Sequence, residues 1–311
     1  MQAAAGPEPG FFLTGRSHLC NIVQNSERRI KMIGIIDVGG ANRAVFADGV
    51  FDSLLDNDII LDYCIGVSAG AANCASYIAG QRGRNLEFYT NYNFSSHSIG
   101  LLAWLKTGGS FIDLDYIYGT LSNHDGKSPL DYDAMMRSPT VFKIVATDSE
   151  TAEPVYFDKT VMRQDDYRAV CASSCDPEAC KPYPYNGRTY FDGYVSDPLP
   201  VERALKDGCD RLIVILTLPK THMRSSRSFE KRAQKLRKYP TISAKLAEGA
   251  ELYNKALARC LKLEEQGRAL ILFPEYNQLH PLDKDKKKIE LLYQEGYENG
   301  KRVREFLSRG I

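Results

Sequence analysis

The chain has 311 residues, with 40 basic and 39 acidic side chains and a formal net charge of +1. That length buries a large core, as one big domain or two modest ones. The balanced charge excludes a dedicated nucleic-acid binder, whose composition is strongly basic. No apolar run approaches the ~20 residues needed to span a bilayer; the longest, 211–217 and 269–273, have the length of buried strands. The eight cysteines are scattered and show no disulfide framework of a small secreted protein, so reduced thiols and a cytoplasmic location are expected.

Residues 1–31 are turn-rich, and Phe11-Phe12-Leu13 is too short for the apolar core of a signal peptide. They are expected to lie outside the fold, which would begin at Met32; the alternative is an arm packed on the surface or on a partner. A first strand is predicted over 32–36, followed by the turn Asp37-Val38-Gly39-Gly40-Ala41-Asn42-Arg43. A helix comes next, with Phe46, Val50 and Leu54 on one stripe and Ala47, Phe51 and Leu55 beside it. A second strand over 61–65 leads into Gly66-Val67-Ser68-Ala69-Gly70 and another helix. Two successive strand-to-helix turns in a parallel sheet with right-handed crossovers open at one sheet edge, where ligands bind in such folds.

Residues 84–137 are irregular and aromatic, a stretch expected to complete the core; nothing in them marks a cap over a pocket. Strands are predicted over 141–147 and 153–157 around a polar turn, and a helix over 165–171. Asn186-Gly187 joins 183–185 to 188–191 as a two-residue hairpin, which runs directly into Asp192-Gly193. A short helix over 201–206 and a strand over 211–216 follow. Residues 220–238 then carry eight Lys or Arg and one acid, Glu230. This stretch reads as a solvated helix with its loop, or as peripheral contact with an anionic membrane. Leu246, Ala250, Tyr253, Leu257 and Leu261 form one amphipathic stripe, 268–273 a last strand, and 289–306 a final helix with Leu292, Val303 and Phe306 on its apolar side.

Strand, Gly66-Val67-Ser68-Ala69-Gly70 and helix in that order form the setting in which G-x-S-x-G is a nucleophile elbow. The alternative is a plain strand-to-helix turn. A serine hydroxyl needs a base to take its proton, and its tetrahedral intermediate needs donors. The backbone N–H groups of Gly39, Gly40 and Ala41 can converge on a small anion. The rival reading, a phosphate turn, lacks the GK[ST] ending of a P-loop and the spacing of a dinucleotide fingerprint. Only His222 and His280 lie late enough for the Ser, Asp, His order of an α/β-hydrolase. Neither sits where it would be aimed at the serine, and the elbow comes earlier than in such enzymes. The best acid is Asp192, before Gly193; its bland alternative is a hairpin exit. Cys171, Cys175 and Cys180 offer three thiols at spacings unlike common zinc sites, so no metal or other cofactor is expected.

Gly39-Gly40-Ala41-Asn42-Arg43, Gly66-Val67-Ser68-Ala69-Gly70 and Asp192-Gly193 before Val195-Ser-Asp-Pro-Leu-Pro200 together resemble the patatin-like phospholipase family. The resemblance covers about residues 32–218, and the remainder is similar to the C-terminal extension of a bacterial subgroup. It implies a three-layer α/β sandwich with a mostly parallel central sheet. It also implies a Ser–Asp dyad, with Ser68 as nucleophile and Asp192 as base, acting on lipid acyl esters in the manner of a phospholipase A or lysophospholipase. Gly39, Gly40 and Ala41 would form the oxyanion hole, supported by Arg43, Gly66, Gly70 and Gly193. The domains would be an N-terminal extension, 1–31; a catalytic core, 32–218; and a basic, helical extension packed on it, 219–311. Three positions depart from the pattern around the site. Ala41, like Ala44 after it, stands where a glycine is usual, and a β-carbon at 41 restricts positive φ. Tyr194 replaces a small residue and would narrow the site or shield Asp192. The alternatives are a short-chain carboxylesterase or thioesterase, and an acyl-lipid-binding protein without turnover. The expected partner is a lipid or acyl-ester substrate, with no nucleic acid.

Overall fold

The strands alternate between two buried faces, and that alternation dictates the layers. In β1 (Met32–Asp37), Ile35 points into one core and Ile36 into the other. In β7 (Cys209–Ile215), Ile213 and Ile215 face the first core while Leu212 and Val214 face the second. A sheet apolar on both sides must be covered on both sides. The computed structural model describes residues 32–92, 98–275 and 279–309; the expectations for residues 1–31 lie outside the described residues.

The first half runs through α1 (Val45–Leu55), β2 (Tyr63–Val67), α2 (Ala69–Ile78), α3 (Arg84–Glu87), α4 (Leu101–Lys106), α5 (Tyr132–Arg137), β3 (Val141–Asp148) and β4 (Pro154–Asp158). It continues with α6 (Arg168–Ser173), β5 (Tyr183–Tyr185), β6 (Arg188–Asp192) and α7 (Val201–Lys206) before β7. Beyond β7 come α8 (Ser226–Ala233), α9 (Pro240–Ala247), α10 (Gly249–Glu265), β8 (Ala269–Leu272), α11 (Lys286–Gly300) and α12 (Arg302–Ser308). Helices α1, α2, α6, α11 and α12 supply one core and α7 with α10 the other. The result is the expected three-layer α/β fold.

The eight described strands form one mixed sheet. β1 pairs in parallel with β2 and β7, β2 with β3, and β7 with β8. β3 pairs antiparallel with β4 and β6, and β6 with β5. The registers on β3 position the site. β4 occupies one edge of it, opposite Lys143 to Thr147. β2 and β6 therefore share the other edge: Val67 pairs with Val145, and Asp192 pairs with Ala146, the next residue. The strand that ends in Ser68 and the strand that ends in Asp192 meet end to end along β3.

Four boundaries differ from the periodicity, each for a local reason. β2 begins two residues late because the Leu61 backbone bonds the hydroxyls of Tyr77 and Thr140. α6 starts after Asp165, whose φ of 60° turns the chain. The stripe from Leu246 to Leu261 is broken between α9 and α10, where the Phe229 ring lies against Gly249 and a β-carbon would come within 2.5 Å of it. The last helix is divided after Gly300, which packs on Ser53.

The chain beyond residue 218 is built into the sheet through β8 and into the helical layer through α11. α1 is buried along nearly its whole length, because α11 crosses it at backbone contact. A β-carbon on Gly49 would stand 2.0 Å from the Tyr293 carbonyl oxygen, and one on Gly296 would stand 1.9 Å from that of Phe46. Neither obstacle is a flexible side chain, so the helices themselves would have to separate. Gly296→Ala is therefore expected to destabilise the fold by about 3 kcal/mol in urea unfolding. Helix propensity alone gives the opposite sign, about 1 kcal/mol of stabilisation.

Candidate active site

Ser68 stands between β2 and α2 with φ 56° and ψ −131°, a backbone conformation that costs a non-glycine residue of order 1–3 kcal/mol. Its neighbours hold it there. Gly66 lies under the first turn of α2, where a β-carbon would come within 2.5 Å of Ala71. The Ser68 N–H donates to the buried Ser173 hydroxyl of α6 at 2.9 Å. The Ser68 hydroxyl and the Asp192 carboxyl face one cavity, near enough for the serine to act on the ionisation of the acid.

Asp192 is 3 % exposed. Its N–H donates to the Cys175 carbonyl, its carbonyl accepts from Thr147, and Oδ1 accepts the Tyr194 N–H at 3.1 Å. Gly193 follows it over the Val145 carbonyl, where a β-carbon would stand 2.4 Å away. Burial pushes the Asp192 carboxyl up to about 8; the Ser68 hydroxyl and the Tyr194 N–H pull the other way, Asp176 adds to the rise, and Arg232 opposes it.

The loop after β1 carries three consecutive positive φ values, 66° at Gly39, 120° at Gly40 and 52° at Ala41. Ala41 thus adopts the left-handed conformation despite its β-carbon, at about 1–2 kcal/mol. The three amides are not equivalent. The Gly39 N–H donates to Asp37 Oδ1 at 2.9 Å, and Gly39 packs against Val67 rather than on the cavity. Gly40, Ala41 and Ala69 line the cavity, and their N–H groups have no acceptor among the described residues. Ala69 opens α2, whose first amides lack intrahelical acceptors and carry the positive end of the helix dipole.

Asp37 escaped sequence reasoning. It is fully buried at the end of β1 and accepts bonds from Gly39 N–H and from Asn73 Nδ2 at 2.9 Å. Asn73 also donates to the Ala44 carbonyl and accepts from the Tyr89 hydroxyl. Burial raises Asp37 to about 7 against those two bonds. The only signal in the sequence was an acid directly before a glycine-rich turn. Ser173 and Asn73 carried none.

Ser68 and Asp192 open on a cavity of about 480 Å³. Ala72, Phe88, Leu114, Ile117 and Tyr118 make an apolar wall, so these described members of the irregular stretch, Phe88 to Tyr118, line a pocket as well as completing a core. Tyr194 also lines it, its hydroxyl donating to Asp176 and accepting from Arg232 at 2.7 Å. His280, expected to face elsewhere, lines the same cavity, but its Nδ1 accepts the Leu282 N–H of its own loop. Among the described residues no histidine hydrogen-bonds Ser68. Cys171 and Cys175 are buried and their thiols donate to the Leu114 and Lys181 carbonyls. Arg224, Phe229 and Arg232, from the basic stretch, turn into the cavity.

Comparison with known proteins fits this geometry. A family model described as patatin-like phospholipase matches residues 38–205, and a domain of unknown function, DUF6363, matches residues 239–309. The uncharacterized protein YjjU of Escherichia coli (strain K12) is 30% identical over 192 residues, covering 60% of this chain and 52% of that protein. The chain thus spans about half the length of the curated relative it matches. The crystal structure of VipD from Legionella pneumophila superposes with a TM-score of 0.45 and 12% identity, over 88% of this chain and 67% of that one. The family match covers more than half of the sequence, including the serine turn, the glycine-rich loop and Asp192. The chain belongs to the patatin-like phospholipase family of lipid acyl hydrolases.

Proposed function

We propose that this chain hydrolyses acyl esters of lipids through a Ser68–Asp192 dyad. The observation that carries the reading is the Ser68 hydroxyl beside the buried Asp192 carboxyl on one cavity, with unengaged amides next to them. Ionised Asp192 accepts the hydroxyl proton as Ser68 Oγ attacks the ester carbonyl. The oxyanion takes N–H bonds from Gly40, Ala41 and Ala69, such donors being worth about 3–4 kcal/mol each in the transition state. Gly39, its amide engaged by Asp37, holds the loop instead of donating. Asp192 returns the proton to the departing alkoxide. It then takes a proton from water, whose oxygen attacks the acyl-serine, and Ser68 recovers its hydrogen. The apolar wall of Phe88, Leu114 and Ile117 accommodates the acyl chain. On this reading residues 219–309 belong to the catalytic unit, since α8 and α10 contribute lining residues.

No helix among the described residues is long and apolar enough to cross a membrane. The lipid would be met at the surface, and the candidate face is α4. Leu101, Leu102 and Leu105 are 58–67% exposed, with Trp104 and Phe111 beside them. Clustered exposed apolar side chains of this kind mark interaction sites. The patch continues into the apolar pocket wall through Ile112, which bridges Ile99, so a lipid surface is the occupant that suits it. Arg224 and Arg232 of the basic stretch face inward instead.

Ser68→Ala and Asp192→Asn are expected to lower p-nitrophenyl ester turnover by at least about 10³-fold with the fold intact; residual activity near wild type in either would sink the dyad. Activity should increase with acyl length, and a preference for short acyl groups would favour a soluble esterase. An ascending limb of kcat/KM against pH is expected near 8, since only ionised Asp192 can act as the base.

The same ionisation appears in stability. A carboxyl raised by folding contributes stability at low pH that is lost as pH rises through its folded value. The stability of Asp192→Asn relative to wild type should therefore grow from about pH 4 and level off above about pH 8. Denaturation across that range checks it, and a flat difference would mean that Asp192 ionises without penalty.

Trp104 is the chain's one tryptophan, so its emission reports on α4 directly. Adding phospholipid vesicles should shift it to the blue. Replacing Leu101, Leu102 and Leu105 by Gln should weaken partitioning by at least about tenfold, while hydrolysis of a soluble ester is retained. Unchanged emission, with self-association on sedimentation, would assign the face to a second copy of the chain.

A further inference from the structure

Arg43, Arg84, Arg224 and Arg232 all line the cavity. Two of these cations are matched. Arg84 is engaged by Ser76, Ser122 and the carbonyls of Ser128 and Pro129. Arg232 pairs with Glu178 and bonds Tyr194, with Asp176 and Asp192 close by. Arg43 and Arg224 differ: among the described residues neither guanidinium is ion-paired with a carboxylate, and neither is ringed by hydroxyl and carbonyl acceptors as Arg84 is. The charge that acts on Arg43 is that of Arg224, and the charge that acts on Arg224 is that of Arg232. His222 feels both arginines.

The pair is also held in place. Arg43 Nε is buried without a hydrogen-bond partner, and it lies 3.8 Å from the position of a Gly40 β-carbon, beside the loop that would hold the oxyanion. The Arg224 guanidinium stacks on the Tyr253 ring at 4.7 Å. Its backbone is clamped at both ends by one side chain of α10: Arg224 N–H donates to Asn254 Oδ1 at 2.8 Å, and Asn254 Nδ2 donates to the Arg224 carbonyl at 3.0 Å. Two partly desolvated guanidinium groups that repel one another without a counter-ion cost free energy, which a bound anion would recover. Burial lowers both; Arg224 adds to the fall of Arg43, to about 10, and Arg232 adds to that of Arg224.

We propose that Arg43 and Arg224 form a subsite for a phosphate dianion, supplied by the phosphomonoester headgroup of an acyl lipid. Guanidinium forks match the geometry of phosphate oxygens, and two cations suit a dianion. The amphiphile has separate places for its two ends. Its chain meets the wall built on the Phe88–Ile117–Leu121 cluster, and its headgroup meets Arg224 on Tyr253, a member of the core under α10. Arg224 lies between the segments matched by the two family models, residues 38–205 and 239–309, so it would be a specificity feature of this chain rather than of the family segment. The catalytic arm of the test rests on the hydrolase reading, and the binding arm does not.

The test uses the full chain, with inorganic phosphate as the probe in thermal unfolding and titration calorimetry. Phosphate is expected to raise the melting temperature of wild type and of Ser68→Ala, and to bind Arg224→Gln at least about tenfold more weakly, the loss of one charge-assisted contact. A general salt effect would move all three proteins alike. In the catalytic arm, kcat/KM is compared for lysophosphatidic acid and the monoacylglycerol of the same acyl chain. The ratio should fall about tenfold or more in Arg224→Gln and recover in part in Arg224→Lys. Competition of phosphate against lysophosphatidic acid identifies the headgroup as the occupant, and binding without competition identifies free phosphate at the same subsite. Equal phosphate binding by wild type and Arg224→Gln, with Arg224→Lys no different, overturns the proposal. Phosphate binding lost in Arg224→Gln without turnover of any ester supports the subsite and counts against the hydrolase reading alone.

Discussion

The site depends on the interlocking of two strand-to-helix turns around the buried carboxyl of Asp37. The Gly39 position is so close to the Val67 carbonyl that a β-carbon would stand 2.2 Å from it, and one on Gly70 would stand 2.8 Å from the Asp37 carboxyl carbon. The loop after β1 and the elbow after β2 are in contact at backbone level. Asp37 fills the centre, accepting from Gly39 on its own loop and from Asn73 on α2. A buried carboxyl costs free energy unless its oxygens are bonded, and these two bonds are made only when both turns are in place. The glycines allow the approach and Asp37 fixes its register. The left-handed Ala41 and the strained Ser68 are then tolerated because the surroundings over-determine them.

The second constraint is the shared edge of β3. Because β4 takes the opposite edge, β2 and β6 must follow one another along the remaining one. That succession brings residues 68 and 192, more than a hundred positions apart, to adjoining ladder steps. The hairpin at Asn186-Gly187, with φ of 47° and 76° at its two central residues, sets the register of β6, and with it where Asp192 falls. A slip of one residue would turn its side chain to the other face of the sheet.

Features specified by local geometry were legible in the sequence. The small residues around Ser68, the Asn-Gly hairpin and the alternating strands each express a steric demand met within a few residues. The resemblance to the patatin-like family rests on the motifs among them, and the three-layer fold is what that resemblance implied. What was not legible depends on apposition of distant segments. Ser173 receives the elbow amide from α6, Asn73 bridges to Asp37, and Phe88 with Ile117 forms a wall out of a stretch without periodicity. The basic stretch at 220–238 shows the same limit. Its charges read as solvent-facing, but Phe229 docks on Gly249 and Asn254 clamps Arg224, which turns the pocket-facing members inward. His280 lines the cavity for a comparable reason: Asn42 N–H donates to Pro281 and its side-chain amide bonds Asp283, drawing that loop onto the glycine-rich turn.

These long-range links bear on how the C-terminal segment relates to the chemistry. Residues beyond the family match supply the edge strand β8, the helix α11 at backbone contact with α1, and the loop seated on Asn42. The turns that hold Ser68 and the glycine-rich loop therefore rest on a sheet and a helical layer that the matched segment does not complete by itself. In such an arrangement the electrostatics of the cavity divide by origin. Ser68 and Asp192 come from the family segment, and the cations stacked on Tyr253 and Tyr194 come from α8 and the residues before it. The hydrolase chemistry and the proposed phosphate subsite can then vary separately, because changing Arg224 or its Asn254 clamp alters the charge on the cavity without disturbing the turns that hold Ser68 and Asp192.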